Sequence, residues 1–111
     1  EIIRVEKANE NGQIQYEVLT KRADGSKIEY ILKPDGSLDS TEEKLGKDAL
    51  PEKVASTVKT AVGDGQMSGA EKLTKDGVVT YEVGYKTSKG TKQEAIVSSD
   101  GKLVKNGADA D

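Results

Sequence analysis

The 111-residue chain has no cysteine, histidine, phenylalanine or tryptophan, only one methionine and only two prolines. Without Cys there is no disulfide. Without Cys and His there is no zinc site of the usual ligand set, no Ser-His or Cys-His nucleophile pair and no imidazole acid–base chemistry. Carboxylate, lysine and tyrosine are the whole acid–base inventory, so most enzyme classes are excluded and the chain reads as a non-enzyme without cofactor or metal. The missing Phe and Trp leave 23 branched aliphatics and four tyrosines to build a thin core for one small domain. Long apolar runs are missing too: none approaches the roughly 20 residues of a membrane-spanning helix. The charges, 17 basic against 20 acidic, are balanced at a net −3. They form no Lys/Arg stripe with interleaved aromatics, so nucleic acid is not an expected partner. An opening Glu1-Ile2-Ile3 without Met suits a processed chain.

What is present is an internal repeat. Shifting the chain by 65 residues lays Val5–Leu38 over Ala70–Leu103 without a gap, with 14 of 34 positions identical. Among them are Tyr16/Tyr81, Glu17/Glu82, Val18/Val83, Ile31/Ile96 and the glycine pairs Gly12/Gly77, Gly25/Gly90 and Gly36/Gly101. Asn11-Gly12, Asp76-Gly77, Asp35-Gly36 and Asp100-Gly101 tolerate the left-handed backbone of tight hairpins, so each copy reads as three or four antiparallel strands.

The strands show period 2. Ile14, Tyr16 and Val18 alternate with Gln15, Glu17 and Leu19, and Val79, Tyr81, Val83 and Tyr85 with Thr80, Glu82, Gly84 and Lys86. In the next strand Ile28, Tyr30 and Leu32 join the apolar face. Between the copies, Pro51 and the helical spacing of Leu50, Val54, Val58 and Val62, stopped by Gly63-Asp64-Gly65, predict a helix over about 51–62. Residues 39–49 read as a linker, in which Ser40 to Glu43 fit a capping box that Gly46 cuts short. Residues 106–111 read as a poorly ordered acidic tail. The expected fold is α+β: one domain over 1–105, an antiparallel sheet from two tandem β-meander repeats (about 1–40 and 47–105) with the helix on one face.

The string Ala49-Leu50-Pro51, Val54, Val58, Lys72, Asp76-Gly77, Tyr81-Glu82-Val83, Gly90, Val97 and Asp100-Gly101-Lys102-Leu103 resembles the PepSY-like family, which is related in fold to the β-lactamase-inhibitor protein. The resemblance covers about 47–105, and 3–40 through the repeat. It implies an extracytoplasmic bacterial domain, secreted or periplasmic, that binds a protein, in some members as a peptidase inhibitor or propeptide, without catalysis. It carries no catalytic residues over. The first copy departs from the pattern in lacking a helix before it.

Three chemical readings are outweighed by simpler ones. Gly63 to Gly69 has neither the spacing nor the strand-to-helix setting of a dinucleotide loop and reads as a helix end. Asp35, Asp39, Glu42 and Glu43 miss the order of a calcium loop. Glu17/Glu29 and Glu82/Glu94 could pair as glycosidase carboxylates, but with Lys21, Lys27, Lys86 and Lys92 beside them they read as cross-strand ion pairs. What remains is Leu19, Ile31 and Ile96, aliphatics on the charged face. Ringed by Glu17, Lys21, Glu29, Lys33, Glu82, Lys86 and Glu94, they resemble an interface centre with a polar rim for a protein partner. The alternative is a structural, self-associating envelope module. It is motivated by the apolar face of the first copy, whose cover would be a straddling helix, a symmetric or swapped dimer, or a helix lost from the amino end.

Overall fold

The computed structural model describes residues 1–108. Asp109, Ala110 and Asp111, the end of the expected tail, lie outside the described residues. The strands are β1 (Ile2–Glu10), β2 (Gln13–Lys21), β3 (Lys27–Leu32), β4 (Leu38–Leu45), β5 (Gln66–Lys75), β6 (Val78–Lys86), β7 (Lys92–Ser98) and β8 (Leu103–Ala108). Helix α1 (Glu52–Val62) follows β4. The fold is α+β, each strand pairing antiparallel with its neighbours in chain order in one sheet of eight.

Turn chemistry sets this order. Asn11 (φ 53°) and Gly12 (φ 81°) are both left-handed, as are Asp76 (φ 52°) and Gly77 (φ 77°) at the 65-residue offset, the requirement of a two-residue hairpin matched to strand twist. The wider turns also match across the offset. Lys33 N–H donates to Ser37 O at 2.8 Å and Gly36 N–H to Lys33 O at 2.9 Å, while the counterpart bonds from Ser98 and Gly101 are 2.8 and 2.9 Å. Asp35 accepts from the Ser37 hydroxyl at 2.6 Å and its N–H at 2.9 Å. These bonds, the hydroxyl first, hold the Asp35 carboxyl below its ordinary value, as those of Ser98 and Lys102 do for Asp100.

Two segments differ from the sequence reading. Residues 39–45, expected in a linker, belong to β4, and a short 3-10 turn occupies Lys47–Ala49. The Asp35-Gly36 turn folds this polar stretch back on β3, placing Ser40 opposite Ile31 and Thr41 opposite Tyr30. Ser40 therefore caps no helix; it is buried within the strand. Residues 106–108, expected in the tail, are the end of β8, where Asn106 pairs with Ala95 and Lys105 with Ile96.

The chain forms two compact units, Glu1–Lys44 with Leu73–Val78, and Leu45–Lys72 with the chain from Val79 onward. The second holds a core of Val54, Val58, Ala70, Tyr81, Val83 and Val97, edged by Leu45, Leu50, Val62, Met67 and Val79. Val54 and Val58, one turn apart, are the buried residues of α1, and each contributes about 1.5 kcal/mol or more by leaving water. The helix lies close to the β7–β8 turn: a Cβ on Gly101 would sit 3.0 Å from the Lys53 carbonyl oxygen, and the Thr57 hydroxyl donates to the Gly101 carbonyl. Gly63, in a left-handed conformation, ends the helix with its N–H on Lys59 O at 3.0 Å.

The first unit has no helix of its own. On its apolar face Ile28 is buried, Tyr16, Val18, Tyr30 and Leu32 are half-buried, and Val5 and Leu38 are 61% and 54% exposed. Ion pairs fasten its margin: Arg22 Nη1 to Glu43 Oε1 at 3.0 Å and Lys75 Nζ to Asp39 Oδ2 at 3.8 Å.

Candidate protein-binding site

In the first unit Leu19 and Ile31 share the charged face of the sheet. Glu17 stands opposite Ile31 and Leu19 opposite Glu29, so the two aliphatics are diagonal neighbours between two glutamates. β1 extends the rim, with Arg4 opposite Leu19 and Glu6 opposite Glu17, and Arg4 Nε lies 3.0 Å from Glu6 Oε1. On the other side β4 brings Ser40 against Ile31 and Glu42 against Glu29. Leu19 and Ile31 are both half-buried. Sequence reasoning missed Arg4 and Glu6 because a bulge between Ile2 and Arg4 breaks the alternation of β1. Of the remaining rim residues, Lys21 closes one end of β2, and Lys33 follows β3 into the turn. There Lys33 lines a cleft of about 490 Å³ together with Gln13, Ile14, Asp35 and Asp39.

The expected glutamate–lysine pairs across strands do not match the register. Lys21 stands opposite Lys27, and Lys86 opposite Lys92. Glu17 instead hydrogen-bonds Glu29. That bond, then burial, then the Glu29 charge push the Glu17 carboxyl up, against the pull of Arg4. Because the folded pKa of Glu17 is raised above its ordinary 4.5, its contribution to stability is complete below that value and is lost as pH rises through the raised one. Urea midpoints of the parent should therefore fall relative to those of Glu17→Gln as pH rises above 4.5. Parallel curves would show that the Glu17 carboxyl is not pushed up.

In the second unit Ile96 lies between Glu82 and Lys105, while Glu94 faces Gly84 and Gly107. Gly84 takes the place that Leu19 holds in the first copy, so the aliphatic pair is reduced to the single half-buried Ile96. Lys86 closes β6 as Lys21 closes β2. Among the described residues no cluster of three or more acidic side chains could hold a metal ion, and no helix is long and apolar enough to cross a membrane.

Solved structures share this arrangement. A DUF2874 family protein from Bacteroides ovatus superposes with a TM-score of 0.80 over 96% of this chain and 76% of its own, at 13% identity. A BLIP-like protein from Bacteroides fragilis does so with a TM-score of 0.74 over 99% and 79%, at 16% identity. The fold is BLIP-like. A Bacteroides eggerthii protein described as periplasmic matches at 0.73 over 95% of this chain and 76% of its own, at 13% identity. No family model and no curated protein matches the sequence, and at these identities the likeness is one of fold.

Proposed function

We propose that the chain is a noncatalytic protein-binding module of the bacterial envelope or exterior, with the charged face of β1–β4 as its contact surface. The observation that carries this reading is the diagonal Leu19–Ile31 pair enclosed by Arg4, Glu6, Glu17 and Glu29 and flanked by Lys21 and Lys33, an apolar centre with a charged rim. Ile96, with Glu82, Glu94 and Lys86, is a second and smaller contact point of the same composition. The envelope location draws support from the periplasmic description of the Bacteroides eggerthii neighbour and from the PepSY-like resemblance. An inhibitor-like version draws on the BLIP-like neighbour; a peptidase-propeptide-like version draws on the PepSY-like resemblance alone.

The double variant Leu19→Ser/Ile31→Ser should cost about 2 kcal/mol at most, since both side chains are only half-buried. It should lose the proteins that the parent captures from a Bacteroides envelope extract. Equal capture by parent and variant would end the reading, and a β-lactamase inhibition assay separates the inhibitor version from plain binding. The second reading, a self-associating structural module, is favoured by the exposed apolar side chains of the first unit, and sedimentation of the free chain tests it.

A further inference from the structure

We propose that Asn11, at the tip of the β1–β2 hairpin, is a self-modification site: Gly12 and solvent water convert its side-chain amide to aspartate and isoaspartate, while Asn106 is held unreactive in β8. The chain has three asparagines, Asn9, Asn11 and Asn106, and only the last two precede a glycine. A following glycine carries no Cβ to hinder the approach of its backbone nitrogen to the asparagine side chain. Neither face of the sheet takes part, so the inference stands whether or not the charged face binds.

The reaction draws only base and water from solvent. The Gly12 nitrogen, having given its proton to solvent base, bonds to Cγ of Asn11. The Cγ–Nδ2 bond breaks, that nitrogen takes a proton from water and leaves as ammonia, and a five-membered succinimide remains. Water then adds to one of the two imide carbonyls. Opening on the Cγ side restores the main chain and leaves aspartate at position 11. Opening on the backbone side leaves isoaspartate, in which the main chain runs through the side-chain methylene. Either product adds one negative charge to the net −3.

The hairpin lets the ring form where it stands. Asn11 and Gly12, at φ 53° and 81°, are the two left-handed residues of the turn. Ring closure turns over the peptide plane between them, carrying ψ of the first from about +30° to about −120°, the change from a type I′ to a type II′ turn. Both types close two-residue hairpins, and the plane lies beyond the last ladder pair, Glu10 with Gln13, so no strand bond breaks. Gly12 accepts the reversed φ, nothing lies within 4 Å of where its Cβ would be, and both residues are exposed. At Asn106 the same rotation is opposed. Asn106 and Gly107 stand opposite Ala95 and Glu94, so turning their shared plane takes a peptide group out of the ladder with β7. The Asn106 Oδ1 also accepts the hydroxyl of the buried Tyr85 at 2.5 Å. The aspartate product suits the hairpin, since Asp76 already holds the matching turn at φ 52°; isoaspartate lengthens the turn by one main-chain atom.

The test incubates the full 111-residue chain in mildly alkaline buffer, folded and in concentrated guanidinium chloride, and follows each asparagine by tandem mass spectrometry of proteolytic fragments. In the folded chain Asn11 should convert at least about tenfold faster than Asn106, and in denaturant the two should convert at similar rates. Asn9, which precedes Glu10, should persist in both. Three results overturn the proposal. Persistence of Asn11 in the folded chain, with conversion in denaturant, would show that the turn is locked in its present form. Conversion of Asn106 as fast as Asn11 in the folded chain would show that the fold does not select between them. Persistence of Asn11 in denaturant would remove the chemistry itself.

Discussion

Tyr81→Ala is expected to destabilise the chain by about 3–5 kcal/mol, and Tyr16→Ala by only about 1–2 kcal/mol. The two tyrosines are identical in the repeat and would be interchangeable if each copy carried the same cover. Tyr81 is 6% exposed in the core of the second unit beneath Val54 and Val58, and its removal opens a cavity that the closely seated α1 cannot fill. Tyr16 is half-buried, so water already reaches its ring and truncation loses less. Urea midpoints with unchanged m-values give the comparison. Equal losses would mean that the first unit is as well packed as the second.

Gly65→Ala should be nearly as damaging, at about 2–3 kcal/mol. Its φ is not left-handed, so the cost is steric: a Cβ there would fall well inside contact distance of the Lys86 carbonyl oxygen and 3.1 Å from that of Val62. Both obstacles are backbone, at the point where α1 hands over to β5, and neither can rotate away. Gly69→Ala is the control, since nothing lies within 4 Å of its Cβ position, and it should change stability by no more than about 0.5 kcal/mol. A calorimetric midpoint for Gly65→Ala within error of that for Gly69→Ala would refute the close approach.

Helix α1 was legible because Val54, Val58 and Val62 recur at helical spacing and Gly63 stops them. β2, β3, β6 and β7 were legible because their aliphatics and tyrosines alternate with charges. β4 was not: Leu38 to Leu45 has aliphatics only at its ends, and its strand character comes from hydrogen bonds to β3 rather than from local pattern. β8 hid for a related reason, since Asn106 and Gly107 read as loop until β7 supplies their partners. At the candidate site the faces of Leu19, Ile31 and Ile96 followed from period 2. Which charge meets which did not, because a one-strand pattern does not contain register. The turn Arg22–Ser26, closed by the Arg22 N–H on Ser26 O at 2.9 Å, sets the offset of β2 against β3. It thereby brings Glu17 to Glu29 and Lys21 to Lys27, where composition pointed to alternating signs.

A strand order that follows the chain also governs how quickly the sheet can assemble. Every ladder joins segments adjacent in sequence, and the turn at Asn11-Gly12 is only two residues long. Short loops cost little closure entropy, and hairpins form in roughly 1–10 μs. Apart from β4 and β5, between which α1 intervenes, each strand therefore finds its partner without a search across the chain, and emerging hairpins can pair as synthesis proceeds. Refolding by stopped flow should accordingly be fast for a protein so rich in β-structure, with a rate set by the helix finding its sheet rather than by strand pairing.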